Sequence, residues 1–141
     1  MSAFRAHVEA PINPTEDPEK VSRAVRNLFP NSTLTTTKVD ARRSTLQAAM
    51  NRLEDLDNLR GILRQEAIRD AARRWLLGAV SGSSIVVHLN KQAAFAGKAS
   101  FCEGYDESPL GPITLTITSD NPEDVVDWLA PSSRGKQKPE T

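Results

Sequence analysis

Apolar and polar residues alternate along two stretches of the chain, one near each end. In the first stretch, Phe4, Ala6, Val8 and Ala10 alternate with polar side chains, and in the second, residues 113–118, aliphatic side chains alternate with threonines. A period of two places successive side chains on opposite faces of a β-strand. The pattern therefore predicts two strands, each with one apolar face and one polar face.

Helical spacing and helix-start residues predict three longer helices. Residues 17–19, Asp-Pro-Glu, are typical of a helix start, because the aspartate accepts backbone amide protons and the proline fits the first turn. Residues 120–123 repeat this arrangement near the end of the chain. Between them, the longest helix is predicted to begin at Asn51 as its capping residue and to end near Gly78, with Gly61 weakening or bending it.

Shorter segments lie between these elements. The β-branched residues 33–37 favour a strand, and residues 85–89 and 99–102 are predicted to form short strands. Residues 90–96 are predicted to form a turn of helix or a hooked loop. Residues 45–50 fit either a strand or the start of a helix, and local propensity favours the helix.

Strands at both ends with helices between them predict one α+β domain over residues 1–130. We expect a two-layer sandwich in which helices pack on one face of a largely antiparallel, mixed sheet, while the other face meets water. A chain of 141 residues is long enough to bury a sizeable core without disulfides. Residues 131–141 are polar and contain proline, so they are predicted to form a disordered tail.

The composition, with 38% apolar and 26% charged residues, is typical of a soluble globular protein. The single cysteine, Cys102, excludes an intramolecular disulfide. No apolar run approaches the roughly 20 residues that a membrane-spanning helix needs. The first residues lack the apolar core of a signal peptide. We therefore expect a cytoplasmic protein that makes no contact with a membrane.

Charge is unevenly distributed along the chain, although the totals balance at 18 basic and 18 acidic residues. Residues 31–101 hold eleven basic and six acidic side chains, whereas residues 102–130 hold seven acidic side chains and no basic one. One interpretation is that the two halves attract each other and that the basic helix is simply solvated. The other is that a local basic surface meets phosphate, since salt screens charges beyond about 10 Å.

No motif of a catalytic, nucleotide or metal site is complete in this sequence. Gly97-Lys98 lacks P-loop spacing, because Gln92 stands where the first glycine is required. The acidic residues within 120–127 belong to a helix start, where the helix dipole explains them. His88 is expected to be a hydrogen-bonded structural histidine, whereas His7 faces the polar side of its strand. We therefore expect no cofactor, no metal and no enzymatic activity.

The most unusual segment is residues 88–98, in which Asn90, Lys91 and Gln92 follow an apolar strand and Lys98 closes the segment. In the functional interpretation, the two lysines pair with phosphates while Asn90 and Gln92 order the loop or hydrogen-bond base edges. In the structural interpretation, Asn90 and Gln92 cap the strand end and the lysines are solvated. Three arginines of the long helix are expected to extend a basic surface: Arg69, Arg73 and Arg74.

The same segment carries a resemblance to a known family. Residues 89–95 with Gly97, and residues 108–113, resemble an archaeal family of uncharacterised proteins described as RNA-binding or exosome-associated. Further similarity to this family lies in residues 14–16, 28–30, 63–65 and 68–73. The family is similar in fold to the fifth protein of the large ribosomal subunit, which is a two-layer α+β fold. The resemblance implies RNA binding, a strand over residues 45–50 and no catalytic residues.

Two functional hypotheses follow. The first is a non-catalytic RNA-binding protein in RNA processing or ribosome-related work, with structured RNA and a protein of RNA processing as partners. It predicts that affinity falls steeply with salt and that Lys91→Glu weakens binding. The second is a protein–protein adaptor or homodimer that uses a sheet edge or the threonine face. A continuous basic patch around Lys91 and Arg73 favours the first hypothesis, and scattered, neutralised charge favours the second.

Overall fold

A computed structural model describes three stretches of the 141-residue chain, residues 4–65, 68–103 and 110–132. The predicted polar tail, residues 131–141, has only its first two residues in these stretches. The prediction that this tail is disordered therefore concerns residues that lie outside the described part of the chain.

Seven strands form one open sheet in the described part of the chain. They are β1 (Phe4–Ile12), β2 (Thr33–Lys38), β3 (Ser44–Met50), β4 (Val80–Ser81), β5 (Ser84–Leu89), β6 (Phe101–Cys102) and β7 (Ile113–Ser119). Their order across the sheet is β2-β3-β1-β7-β5-β4, and β6 pairs with β5. All pairings among these described strands are antiparallel, so they lack the mixed character expected from the sequence.

The strands β1 and β7, predicted from strict alternation, are confirmed and pair with each other near the middle of the sheet. Val8 lies opposite Leu115, and both are buried. One residue earlier on β1, His7 lies opposite Thr116, and His7 is exposed. Because side chains alternate along a strand, one face of the sheet is apolar and covered while the other is polar and open.

Five helices accompany the described strands, and their buried residues join the apolar face of the sheet in one core. They are α1 (Pro18–Leu28), α2 (Asp57–Gln65), α3 (Arg69–Gly78), α4 (Lys91–Phe95) and α5 (Pro122–Leu129). The predicted start of α1 is confirmed, since the side chain of Asp17 accepts the backbone amide of Glu19 at 3.0 Å. The fold class is therefore the predicted two-layer α+β sandwich.

The prediction of a single long helix over residues 51–78 is wrong. The chain instead forms a short 3-10 turn, Leu53–Leu56, followed by α2 and α3 as separate helices. The predicted cap is wrong as well, because Arg52 precedes the 3-10 turn and no side chain caps it.

The division between α2 and α3 does not fall at the glycine that was expected to weaken the helix. Gly61 lies inside α2. Beyond α2, the backbone amide of Ile68 donates to the carbonyl of Leu63 at 3.2 Å, and the Ile68 side chain packs against the core. Two shorter helices can each turn an apolar side toward the sheet, and tertiary packing of this kind outweighs continuous helix propensity.

Residues 45–50 form a strand, β3, against their local helix propensity. The strand pairs with β1 on one side and with β2 on the other, and it buries Leu46, Ala48 and Met50. Pairing on both edges satisfies its backbone groups, and this gain exceeds the few tenths of a kcal/mol by which the side chains favour a helix. The strand implied by the family resemblance is confirmed.

Candidate nucleic-acid interface

Residues 90–98 form a short helix that is closed at both ends. Directly after β5, Asn90 caps α4, because its Oδ1 accepts the backbone amide of Ala93 at 2.8 Å. After α4, Gly97 turns the chain at a φ of 82°, which glycine adopts without strain, and the Lys98 amide donates to the Ala93 carbonyl at 2.8 Å. The predicted turn of helix is confirmed, and Asn90 orders the segment.

Lys91 is buried in an ion pair at the base of α4. Its side chain is 9% exposed, and that of its partner Glu16 is 11% exposed. Lys91 Nζ lies 3.0 Å from each Glu16 carboxylate oxygen and donates to the carbonyls of Pro11 at 2.8 Å and Leu110 at 3.0 Å. The side-chain amide of Asn13 donates to Glu16 Oε1 at 2.9 Å and to the Leu110 carbonyl at 2.7 Å. We call these five residues the buried lysine network.

The structure does not favour the prediction that Lys91 contacts phosphate, because an ammonium group has three protons and this network engages them internally. Burial lowers the pKa of Lys91 from its usual value of 10.5, and the hydrogen bond and charge of Glu16 oppose that shift. The Lys91→Glu change would place a second carboxylate beside Glu16. It therefore disrupts the network and is no test of an RNA contact.

Helix α4 packs beside α1 and leaves a groove between them. Near the end of α1, Asn27 Nδ2 donates to the carbonyls of the last two residues of α4 at 3.0 Å each. The groove has a volume of about 750 Å³. Its lining combines apolar side chains such as Val21 and Phe95 with polar ones such as Lys20 and Gln92. We call it the α1–α4 groove.

Exposed basic side chains border this groove. Lys20 Nζ lies 6.0 Å from the centre of the Phe95 ring, which is 40% exposed. Arg23 lies one turn further along α1, and Lys98 follows Phe95 after the glycine turn; both are exposed. Within the described residues, none of these three cations forms an ion pair. With Gln92, which is also exposed, they form what we call the α1–α4 surface: Lys20, Arg23, Gln92, Phe95 and Lys98.

The three arginines predicted to extend the basic surface lie on α3 but do not share one face. Arg73 Nη1 pairs with Asp127 of α5 at 2.8 Å. Arg74 is exposed and Arg69 is half-buried. Residues five apart on a helix lie about 140° apart around its axis, so Arg69 and Arg74 point in different directions. Among the described residues, Lys91 and Arg73 are each paired with a carboxylate, so they do not form the continuous basic patch that would favour RNA binding over the adaptor.

The open face of the sheet is polar and holds both histidines. His88 Nδ1 lies 3.0 Å from Thr114 Oγ1, so the prediction of a hydrogen-bonded structural histidine is confirmed. Across the described strands, Arg5 and Glu9 alone bring a formal charge to this face. Its commonest residue is threonine: Thr33, Thr35, Thr37, Thr45, Thr114, Thr116 and Thr118. This face therefore offers fewer cations to RNA than the α1–α4 surface does.

Several residues of this site have no role predicted from the sequence. Lys20, Arg23 and Arg26 recur at intervals of three on the polar side of a predicted helix, and that spacing is visible in the sequence. Phe95 lies within the unusual segment, yet nothing local shows that its ring is exposed. Glu16 lies 75 residues from Lys91, and no pattern in the sequence joins them.

Other kinds of site find little support in residues 4–65, 68–103 and 110–132. Across these ranges, no group of three or more His, Cys, Asp and Glu side chains is placed to hold a metal ion. Cys102 is buried. Among the helices in these ranges, none combines the length and the apolar character needed to cross a membrane.

The described part of the chain is a two-layer α+β protein, with an open antiparallel sheet and helices on one face. Its candidate nucleic-acid interface consists of cations without an ion pair in that part of the chain, together with an exposed aromatic ring. A family model described as RNA binding matches residues 5–119. The chain is 43% identical to a UPF0201 protein of Sulfolobus acidocaldarius, over 92% of this chain and 88% of the relative. It is 42% identical to a UPF0201 protein of Aeropyrum pernix, over 96% of this chain and 91% of that relative. The chain therefore belongs to the archaeal UPF0201 family, as its resemblance implied.

Solved structures have the same fold. A UPF0201 protein from Methanococcus jannaschii is similar with a TM-score of 0.82 at 28% identity, covering 93% of this chain and 96% of that chain. A DUF54 protein from Methanothermobacter thermautotrophicus has a TM-score of 0.59 at 18% identity, covering 90% and 95%. The likeness to the ribosomal protein stays a prediction.

Proposed function

We propose that this protein binds RNA without catalysing a reaction and that the α1–α4 surface is where the RNA lies. The observation that carries this proposal is a set of exposed cations, Lys20, Arg23 and Lys98, beside the exposed ring of Phe95. Basic groups neutralise phosphates, and an aromatic ring stacks on unpaired bases. The match of residues 5–119 to the RNA-binding family model supports the same proposal.

Arg26 extends the basic character along α1. It is exposed, lies three residues after Arg23, and is without an ion pair in the part of the chain that the structure describes. Lys20, Arg23 and Arg26 therefore follow one another along the exposed part of an 11-residue helix, each about 60° around the axis from the one before. A row of positive charge of this kind follows a phosphate backbone without reading its sequence.

The cellular role that we propose is RNA processing or ribosome-related work, with exosome association as one form of it. The family resemblance suggests this role, and the RNA-binding family model supports its RNA-binding part only. The RNA expected as the partner is structured and has unpaired nucleotides in a loop, because the surface combines cations with a ring that only an unstacked base can reach.

The test is the salt dependence of binding to an RNA hairpin with an unpaired loop, measured by fluorescence anisotropy. Arg23→Ala and Arg26→Ala together are expected to weaken binding. They are also expected to reduce the slope of log K against log salt by about 0.7 for each phosphate that is no longer neutralised. The matched control is Lys38→Ala with Arg42→Ala, which removes two exposed cations outside this surface. Absence of binding at low salt, or an equal weakening in the control, contradicts the proposal.

The second candidate function is a protein–protein adaptor or homodimer. The observation that favours it is that Lys91 and Arg73 are both neutralised internally, while the polar sheet face is open and the edge strand β2 is exposed except at Leu34. It predicts a protein complex that survives nuclease treatment, or a dimer mass in light scattering. Thr116→Glu, near the centre of the open face, is then expected to dissociate the complex and to leave RNA binding unchanged.

A further inference from the structure

The α1–α4 groove has the size and lining of a small-molecule site. Its volume of about 750 Å³ lies within the roughly 300–1,000 Å³ of pockets that hold ligands of drug size. Apolar side chains from three parts of the chain line it, namely Val21 of α1, Phe95 of α4 and Leu110. Of these, Phe95 and Leu110 are 40% and 47% exposed. A flat apolar group entering the groove would therefore cover surface that now meets water.

The groups around the exposed ring match the parts of a nucleotide. The Lys20 ammonium lies over the ring at 6.0 Å from its centre, at the limit of a cation–π contact, so only a weak contact opposes its moving to a phosphate when a base stacks on the ring. Gln92 lines the same groove and is exposed, and its amide offers both a donor and an acceptor to a base edge. Lys98, three residues after Phe95, adds an exposed cation to the same segment.

The two carboxylates of the groove do not oppose this ligand equally. Glu16 is paired with Lys91, so its charge is largely compensated. Asp17 accepts the backbone amide of Glu19 at the start of α1 and has no ion-pair partner among the described residues. A phosphate is therefore expected on the Lys20 and Lys98 side, and the uncharged base is expected inside the groove.

We propose that the α1–α4 groove takes one unpaired base of single-stranded RNA, stacked on Phe95 and hydrogen-bonded by Gln92. This inference rests on the proposed RNA-binding function and deepens it. The exposed cations bind the backbone of any RNA, whereas the groove makes the protein prefer RNA that has an unpaired base. Base-paired RNA gains nothing from the groove, because its bases are already stacked.

The test compares two RNAs, single strands of about ten nucleotides and a blunt duplex of the same length, by anisotropy with the full chain. Phe95→Ala is expected to weaken single-strand binding on the order of 10-fold and to leave duplex binding unchanged. Phe95→Trp restores single-strand binding, because the larger ring also stacks. Leu77→Ala, which truncates a side chain of the same 40% exposure on α3, is the matched control and changes neither affinity.

Gln92→Ala tests the hydrogen-bonding part of the proposal. With strands of adenine, uracil and cytosine, it is expected to reduce the ratio between the tightest and the weakest affinity, because the amide no longer reads the base edge. Thermal unfolding of each variant checks that the fold is retained. We expect it to be retained, because the side chains of Gln92 and Phe95 are both on the surface.

The possible failures are distinguishable. If the wild-type protein binds neither RNA, the proposed function and this inference are both overturned. If it binds RNA and Phe95→Ala has no effect, or weakens duplex and single strand by the same factor, only the groove proposal is overturned. If Gln92→Ala has the same ratio of affinities for the different bases as the wild type, the Gln92 side chain does not read the base edge.

Discussion

The two sides of the α1–α4 groove use the same kinds of charged residue in opposite ways. On the buried side, the Lys91 ammonium meets the Glu16 carboxylate and two backbone carbonyls. On the exposed side, Lys20 lies over the Phe95 ring and Lys98 follows three residues after Phe95, and neither lysine forms an ion pair in the described part of the chain. Lys91 and Lys98 belong to one short segment, yet only Lys98 meets solvent.

The difference depends on whether a distant carboxylate reaches the ammonium. Removing an ion from water costs several kcal/mol unless a partner and hydrogen bonds compensate it. The start of α1 brings Glu16 to Lys91, and the end of β1 brings the carbonyl of Pro11. No carboxylate among the described residues reaches Lys98, which stays hydrated. Lys91 therefore supports the fold, and Lys98 is available for a ligand.

The largest effect is expected from removing the buried charge. Lys91→Met leaves Glu16 buried without its partner, so the free energy of unfolding is expected to fall by about 3–5 kcal/mol in urea denaturation followed by circular dichroism. Lys98→Met, the control from the same segment, is expected to change it by less than about 0.5 kcal/mol. An equal decrease in the free energy of unfolding of the two variants would contradict the assignment of a structural role to Lys91 alone.

A double variant sharpens the assignment of that decrease to the ion pair. Adding Glu16→Gln to Lys91→Met removes the uncompensated carboxylate and replaces it with a neutral amide, which is cheaper to bury. The combined decrease is expected to be smaller than the sum of the single decreases by about 0.5–3 kcal/mol, measured as a double-mutant cycle. Additive decreases would show that the two residues act separately.

The next largest effect on the free energy of unfolding is expected from removing the side-chain cap of α4. Asn90→Ala removes the hydrogen bond to the Ala93 amide, and we expect the free energy of unfolding to fall by about 1 kcal/mol. Asn121→Ala is the matched control, since Asn121 precedes α5 but its side chain makes no capping hydrogen bond. A decrease as large at Asn121 would contradict the role of the Asn90 side chain.

The smallest effect is a pH dependence. Burial lowers the pKa of Lys91 below 10.5, so the folded chain releases this proton at a lower pH than the unfolded chain does. Between those two pKa values the unfolded state binds more protons, and this group makes the free energy of unfolding rise with pH. At pH values below the pKa of Lys91 in the folded chain, the contribution of Lys91 protonation to the free energy of unfolding is constant and at its least favourable.

The measurement is urea unfolding of the wild type and Lys91→Met at matched salt, over a series of pH values below the usual Lys91 pKa of 10.5. We expect the slope of the free energy of unfolding against pH to be more positive in the wild type. Identical slopes would show that the pKa of Lys91 is the same in the folded and unfolded chains.

Elements whose signal is local were predictable from the sequence. The alternation in β1 and β7 sets which face of each strand is buried, because the period of two is a property of extended backbone. The Asp17 cap of α1 depends on residues two apart. The two-layer class follows, since elements with one apolar face must pack against each other.

Elements that depend on partners were predicted less well. Residues 45–50 favour a helix locally and form a strand because β1 and β2 pair with them on both sides. The segment 51–78 has the pattern of one helix and forms two, because each part packs its own apolar residues. Local propensities of a few tenths of a kcal/mol per residue are smaller than the free energy of such packing.

By itself, the sequence determined that basic residues concentrate in residues 31–101 and that the segment 90–98 carries polar and basic side chains directly after an apolar strand. Only the tertiary structure decided which of these cations are available. Glu16 pairs with Lys91 in the interior and Asp127 pairs with Arg73 nearer the surface, so two of the seven predicted RNA contacts have a carboxylate partner in the fold. Charge is counted along the chain, but its field at the surface depends on which opposite charges folding brings within about 4 Å.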